Sequence, residues 1–460
     1  MLKKNKFVAV FLLSFCSCTF NSETENVGEA SIITQNSQTS TSLQDVENID
    51  YIFERPYQHT FVELDKCYDF LGSNLPVSCI PGVKILEEII FEDSVTNVVP
   101  YGDNFIIILK SGKIYDFNFQ SGSKELLFSV EGQVLRDGEE NGLLSFAIHP
   151  YANEFIISYV SLENKLIFET FEYVENLSEV VSSSKIIELQ SNTNSHYGGK
   201  VIWSDYFNCF LGSVGDISEA NFESRLNSSP IDSSKITGKI IGLNCDLKQF
   251  SQKVNLSING QEVSQNIIAS GLRNPWQFFE FKDNLIIFDT GFTQNEELNI
   301  AKLSEDNINF GWPVFEGPKR AQDLDNIDDY SLDIFHWVEG DSFDAVEYIE
   351  KNSIKPTFYY NHHPCNSLDF TNCDGKGEVY RAAIIGGGIL ENPRSKYNFD
   401  IFFADYLSQE LFSLNFITRE LKIYPVENHL YINSVNIFDA EKNQIITTTN
   451  SGKVLLLQLP

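Results

Sequence analysis

The sequence predicts an all-β chain and, within that class, a β-propeller. Two observations lead there. The first is one hairpin device that appears near both ends of the region from Asn104 onward. Phe105–Lys110 runs into the turn Ser111-Gly112-Lys113 and then Ile114–Phe119. Gln444–Thr449 runs into Asn450-Ser451-Gly452-Lys453 and then Val454–Leu459. Two apolar runs around a short Gly-containing loop read as a β-hairpin. The second observation is that similar runs fill the space between, while helical periodicity is scarce. Repeated hairpins over such a length suggest small sheets stacked in a ring. Pairing the first blade with the last would remove the exposed edges. A pair of β-sandwiches is the plainer alternative.

The elements follow in order. Lys3, Lys4 and Lys6 form a basic start, and Phe7–Phe15 is an apolar run. It is shorter than the roughly 20 residues a membrane-spanning helix needs. Phe15-Cys16-Ser17-Cys18 resembles a bacterial lipoprotein cleavage box, with Phe15 where Leu is usual. Residues 1–17 therefore read as a lipoprotein-type signal with Cys18 as the lipidated residue; simple secretion is the alternative. Residues 18–50, rich in Ser, Thr, Asn, Gln and Glu, cannot bury enough apolar surface to offset their ordering entropy and read as a flexible tether. The propeller is assigned to residues 51–460. The expected location is the periplasm, the outer membrane or the exterior, with membrane contact through the lipid anchor only.

Paired runs within the propeller include Glu154–Val160 with Leu166–Tyr173, and Lys200–Trp203 with Phe207–Ser213. Asp283–Asp289, Phe399–Asp405 and Leu411–Phe416 are further strands. Lys319–Asn352 breaks the rhythm: it is acidic and reads as a long loop, either bordering a site or solvated at the surface.

The net charge is −31, and removing three signal lysines takes it to −34. Such a chain is a poor partner for nucleic acid, whose phosphates need basic groups. Outside the signal stand Cys67, Cys79, Cys209, Cys245, Cys365 and Cys373, an even number in an oxidising compartment, so disulfides are expected. Cys67 with Cys79 and Cys365 with Cys373 are plausible local pairs, which leaves Cys209 with Cys245. Spacing alone does not prove this connectivity, and free buried thiols are the alternative. No C-x-x-C occurs, and His362-His363 lies near only one cysteine pair, which argues against zinc.

Five segments carry the chemistry. Gly271-Leu272-Arg273-Asn274-Pro275-Trp276 sets an Arg and an Asn before a Pro that favours extended backbone, after a Gly that permits a left-handed one. Glu140-Asn141-Gly142 opens the run to His149-Pro150. Ser195-His196-Tyr197-Gly198-Gly199-Lys200 leads, after one strand, to Val214-Gly215-Asp216. Asp289-Thr290-Gly291-Phe292 precedes Asn295-Glu296-Glu297-Leu298-Asn299, and Asn309-Phe310-Gly311-Trp312-Pro313 follows. Each has a plain reading: a turn His, a turn Asp, a core Trp, and a solvated acidic pair at Glu296 and Glu297.

In this order and spacing the five segments resemble the glucose/sorbosone dehydrogenase family, from about Val98 to the C-terminus. The resemblance implies a six-bladed β-propeller that binds pyrroloquinoline quinone (PQQ) and Ca2+ at one mouth. It implies oxidation of the C1 hydroxyl of an aldose to a lactone, with electrons passed to an external acceptor. No C-x-x-C-H heme motif is present for an internal one. On this resemblance His196 is the general base and Asp216 the carboxylate that orients it. Arg273 faces the quinone oxygens, where charge develops, and Asn274 is an adjacent cofactor contact. Glu140 lies near the sugar. The carbonyls of Gly291 and Phe292 match ligands of the cofactor's Ca2+, and Glu297 with the Phe310 carbonyl matches a second Ca2+ site.

Two departures stand against the pattern. The late Gly-Gly of the family is usually followed by a basic residue, whereas here Gly386-Gly387-Gly388 runs into Ile389-Leu390-Glu391-Asn392. The next strand region, Tyr406–Leu411, lacks the arginines that soluble members direct at cofactor carboxylates. Fewer cations weaken the binding of a tricarboxylate. A propeller that binds carbohydrate or protein without catalysis is therefore the rival expectation.

Overall fold

Six small sheets follow one another along the chain and form the predicted six-bladed β-propeller. The structure, a computed structural model, describes residues 77–138, 140–174, 179–191, 193–217, 230–245, 248, 250–258, 261–292, 295–320, 352–361, 381–391, 399–426 and 431–460. The signal, the tether with Cys18, the cysteines Cys67, Cys365 and Cys373, His362-His363 and most of Lys319–Asn352 lie outside the described residues.

Blade 1 is a meander of Val95–Tyr101, Asn104–Leu109, Lys113–Phe117 and Lys124–Ser129. Blade 2 repeats it with Leu143–Ile148, Glu154–Val160, Lys165–Tyr173 and Val180–Gln190. Blade 3 has Gly198–Ser204, Cys209–Val214, Lys239–Leu243 and Gln261–Ser270, extended by Lys253–Ile258. Blade 4 has Pro275–Phe281, Asn284–Asp289, Asn295–Lys302 and Phe358–Asn361. Blade 5 is built on Phe399–Asp405, Leu411–Asn415 and Leu421–Tyr424, with the short Ile384–Ile385 and Ile389–Glu391 on its inner side. Blade 6 has Ile432–Asp439, Gln444–Thr449 and Lys453–Gln458. Both Ser-Gly-Lys hairpins form as predicted, one in blade 1 and one in blade 6.

Ring closure takes a specific form. The strand before blade 1, Lys84–Ile90, is the outermost strand of blade 6, antiparallel to Lys453–Gln458 with Lys84 opposite Gln458. Val77–Cys79 adds in parallel to the outer strand of blade 5. The last sheet is thus completed from the N-terminal side, rather than by a direct pairing of blades 1 and 6. The result meets the same need at the closure, because the outer strands of blades 5 and 6 are each covered by a strand from the N-terminal side.

The core is divided in the same way. A hydrophobic cluster fills each junction between consecutive blades. One holds Ile106, Ile108, Phe146 and Phe155 between blades 1 and 2, and another holds Phe168, Tyr197, Val201 and Ile241 between blades 2 and 3. Equivalent clusters occupy the 3–4, 4–5, 5–6 and 6–1 junctions. Alternating apolar residues let each strand feed the junction on either side of its blade. Each fully buried Ile, Leu or Phe contributes roughly 1.5–3 kcal/mol.

Two polar ties also cross or brace blade junctions. The hydroxyl of Tyr360 in blade 4 is 2.8 Å from Asp405 Oδ2 in blade 5. Asp405 Oδ1 accepts the N–H groups of Leu407 and Ser408 at 3.1 and 2.7 Å. Nearby, Arg381 holds Glu410 through two hydrogen bonds of 2.7 and 2.9 Å. The disulfide Cys209–Cys245 forms, with Cα atoms 6.0 Å apart, and Cys79 is also disulfide-bonded.

Burial pushes Asp405 up to about 8 from an ordinary carboxylate value of 3.8. Between those two values the folded protein keeps a proton that the unfolded chain releases. This contribution to stability is therefore full at acid pH and is lost as pH rises toward 8, at about 1.4 kcal/mol per retained unit. Denaturant melts of Asp405→Asn should show a flatter pH dependence over that window than the unsubstituted protein.

Candidate functional site

One rim of the propeller gathers the ends that carry chemistry. In an antiparallel blade, the start of the first strand and the end of the second lie at the same rim. Glu140, His196 and Arg273-Asn274 directly precede the first strands of blades 2, 3 and 4. Asp216 follows the second strand of blade 3, and Asp289 ends the second strand of blade 4. First strands neighbour first strands around the ring, so these residues meet near the axis.

The centre is a chain of contacts through His196. Its Nδ1 is 3.1 Å from Asp216 Oδ1, and its Nε2 is 2.8 Å from Arg273 Nη2. A guanidinium only donates, so Nε2 is the acceptor and Nδ1 carries the proton toward Asp216. This assignment follows from the hydrogen-bond pattern. Trp312 donates its indole N–H to the other Asp216 oxygen at 3.0 Å. His196, Asp216 and Arg273 are each at least nine-tenths buried.

The backbone is shaped to hold this geometry. His196 has a left-handed φ of 58°, and the β-branched Ile217 beside Asp216 has 49°. Non-glycine residues in that region are uncommon and concentrate at functional sites. The Ile217 N–H closes onto the His196 carbonyl at 3.2 Å, and the Asp216 N–H onto the Arg273 carbonyl at 2.7 Å. Gly271 has φ 69°, and a Cβ there would strike Asn309 and the backbone of Gly311. That is the left-handed glycine expected before Arg273. At Gly215 a Cβ would run into the His196 carbonyl, so only glycine allows the two segments to approach so closely.

Arg273 and Asn274 are fixed from below by Asp289, whose two oxygens accept their N–H groups at 3.0 and 2.7 Å. The guanidinium also donates to the carbonyls of Thr290 at 3.0 Å and Gly291 at 2.5 Å. It stands over the rings of Phe292 and Trp312, at 5.3 and 5.9 Å from their centroids. Asn274 accepts the Gly198 N–H at 3.0 Å and donates to Glu140 at 3.2 Å. Glu140 Oε2 also accepts the His196 N–H at 2.6 Å, so one of its oxygens braces the site.

A buried acidic layer lies beneath. Glu296 accepts N–H groups from Gly291, Ala383 and Ile384, and Glu316 accepts those of Phe292 and Asn295. Glu297 accepts from Gly317 at 2.5 Å and from Asn299 at 3.0 Å. The solvated reading of the Glu296-Glu297 pair is therefore corrected: both are buried in the third strand of blade 4. Burial raises Asp289 well above the usual carboxylate range, with the neighbouring Glu297 adding to it, and burial pushes Glu297 up to about 7.

The structure brings together His196, Asp216, Arg273, Asn274, Glu140, Gly291 and Phe292. Phe292 contributes a ring under the guanidinium and an N–H to Glu316, while the carbonyls that converge on Arg273 are those of Thr290 and Gly291. Phe310 packs in the cluster between blades 3 and 4, with its N–H on the Ser270 carbonyl at 3.0 Å. Among the described residues no group of three or more His, Cys, Asp or Glu side chains is arranged to hold a metal ion. His149 proves structural: its Nδ1 accepts the N–H groups of Tyr151 and Ala152, and its ring lies against Trp203. Sequence reasoning missed the roles of Trp312 and Asp289. Both stood in quoted segments, but nothing local shows that one reaches Asp216 or that the other holds Arg273.

A propeller with a buried His–Asp–Arg constellation at one mouth defines the class. The chain matches the family described as Glucose / Sorbosone dehydrogenase over residues 95–345, and it belongs to that family. It is 27% identical over 237 residues to quinoprotein glucose dehydrogenase B of Acinetobacter calcoaceticus, a match covering 45% of this chain and 47% of that protein. The match thus spans about half the length of that relative. Among solved structures, one titled glucose dehydrogenase aligns with a TM-score of 0.55 at 14% identity, covering 83% of this chain and 99% of the other. The soluble aldose sugar dehydrogenase of Escherichia coli, in its apo form, aligns with 0.53 at 15% identity, covering 82% and 99%. These two structural likenesses concern the fold.

The Trp312 contact gives a direct test. Trp312→Phe keeps an aromatic ring but removes one hydrogen bond to a buried carboxylate, and a hydrogen bond to a charged group is worth about 1.5–3 kcal/mol. Chemical denaturation should show a loss of that order.

Proposed function

We propose that the protein is an exported, quinone-dependent dehydrogenase that oxidises the C1 hydroxyl of an aldose to a lactone. The observation that carries this reading is the protonation pattern at His196. Asp216 accepts the hydrogen bond of Nδ1–H, which leaves the lone pair on Nε2, where Arg273 Nη2 donates to it. That lone pair is the proton acceptor an alcohol oxidation needs. The names of the relatives support the quinone and the sugar: one is called a quinoprotein glucose dehydrogenase, another an aldose sugar dehydrogenase.

The residues fit the cofactor. Arg273 Nε is buried without a partner, so the guanidinium has a donor to spare for a quinone or carboxylate oxygen. The Gly291 carbonyl already serves one cation, and such hard oxygens suit Ca2+. Arg273 and Asn274 would hold the PQQ, with Gly291 and Phe292 carbonyls on its Ca2+. Glu297 and the Phe310 carbonyl would serve a second Ca2+. When bound, PQQ supplies a two-electron acceptor for the hydride that leaves C1.

The chain does the rest. His196 Nε2 takes the C1 hydroxyl proton as the C1–H bond breaks and the C1–O bond becomes a carbonyl. Asp216 holds the ring in the required tautomer and stabilises it once charged. Arg273 stabilises negative charge as it develops on the acceptor oxygens. Glu140 Oε1 accepts no hydrogen bond among the described residues and is available to a sugar hydroxyl. Electrons then pass to an external acceptor, and a lipid on Cys18 would keep the enzyme at the membrane surface.

Dye reduction by the purified protein with PQQ, Ca2+ and a panel of aldoses tests this. Activity should require the cofactor, and His196→Ala and Asp216→Asn should each lower it by about 10²-fold or more, with thermal melts showing that each variant is folded at the assay temperature. Full activity in His196→Ala would overturn the base assignment. A folded protein that takes up no cofactor would favour the binding propeller.

A further inference from the structure

Three hydrogen-bond donors without acceptors stand where blades 3 and 4 meet at the site. Arg273 Nε is buried and unpartnered, and so is the indole N–H of Trp276. Among the described residues the Lys200 ammonium makes no ion pair or hydrogen bond, and burial pushes it down to about 8.

Strand register sets these groups side by side. The first strands of blades 3 and 4 are tied near the mouth by Gly198 N–H on Asn274 at 3.0 Å, and farther down by Ser204 on Glu280. Between those ties, Ile202 packs on the cluster that contains Phe278. Lys200 and Trp276 each stand two residues beyond the Gly198–Asn274 tie, each within a β-bulge that interrupts the alternation of its strand. Trp276 packs against the clusters of blades 2–3 and of blades 5–6, so its side chain lies toward the axis of the ring. Lys200 and Trp276 each keep partial exposure although they lie on inner strands.

A flat indole with a free N–H, an unpaired ammonium and a spare guanidinium N–H want one kind of ligand. It is planar, apolar on its face and rich in acceptor oxygens at its edge. Unpaired buried donors are costly, and in a chain of net charge −31 a lysine without a carboxylate partner is conspicuous. We propose that Lys200, Trp276 and Arg273 form a seat for the carboxylate edge of a planar aromatic polycarboxylate, in place of the basic residues missing after Gly388. Where that ligand is PQQ, the inference rests on the function proposed above. Arg381 does not fill the gap, because Glu410 already holds it.

The test measures binding to the full chain by calorimetry, with two probes: PQQ with Ca2+, and benzene-1,3,5-tricarboxylate alone. Lys200→Met should weaken both by about 10- to 100-fold, as expected for losing one charge-assisted contact, and Lys200→Arg should restore most of the affinity. Thermal melts report whether each variant folds. Amine labelling of the unsubstituted protein, read by mass spectrometry, gives an independent measure: the tricarboxylate should protect Lys200. If Lys200→Met binds PQQ as tightly as the parent, or if labelling of Lys200 is unchanged by either probe, the seat is overturned and the quinone reading stands. If the parent takes the tricarboxylate in a Lys200-dependent way but not PQQ, the seat stands and the quinone reading fails. If it takes neither, both fail.

Discussion

A ring of sheets must close, and every position in the mouth depends on that closure. The strand Lys84–Ile90 completes blade 6 by pairing with Lys453–Gln458, which brings the two ends of the propeller into one sheet. The junction between blades 6 and 1 is then filled by Phe91, Val95, Ile107 and Ile446, as the other five junctions are filled by their own clusters. Because the circle is complete, the first strands of blades 2, 3 and 4 hold fixed angles to one another. That is how Glu140, His196 and Arg273, separated by long stretches of chain, come within hydrogen-bonding distance of common partners.

Within the frame, electrostatics sets the character of the site. The chain is strongly acidic, and several carboxylates are buried under the mouth. Nearly all of them accept backbone N–H groups: Asp289 from Arg273 and Asn274, Glu296 from three residues, Glu316 from two. They serve as anchors for the loops that present Arg273 and Gly291. The guanidinium is the cation at their centre, and it meets His196 through one nitrogen and loop carbonyls through another. Stacking on Phe292 and Trp312 adds a cation–π contribution and fixes its plane.

The blades were legible in the sequence because alternating apolar runs and Gly-bearing turns are local signals. Glu154–Val160 and Phe399–Asp405 form with the expected bounds. The His196, Asp216 and Arg273 cluster was legible through a family resemblance, since nothing in the spacing of 196, 216 and 273 shows that they touch. What stayed hidden depends on junctions between blades. Trp312 looked like a core residue and is one, yet its N–H reaches Asp216. Glu296 and Glu297 looked solvated because two adjacent acids usually are, but the strand carrying them lies inside a closed ring. The role of Lys84–Ile90 was hidden as well, because its sequence, with Glu87 and Glu88 amid isoleucines, gives no hint of its distant partner.

The central claim is that His196 and Arg273 serve removal of a proton and a hydride from the same sugar carbon unit. It is tested most directly by single-turnover mixing of cofactor-loaded protein with an aldose deuterated at C1. The account predicts that the bound quinone is reduced within one turnover, several-fold more slowly with the deuterated sugar than with the ordinary one. Equal rates for the two sugars, or no reduction by any aldose, would contradict it.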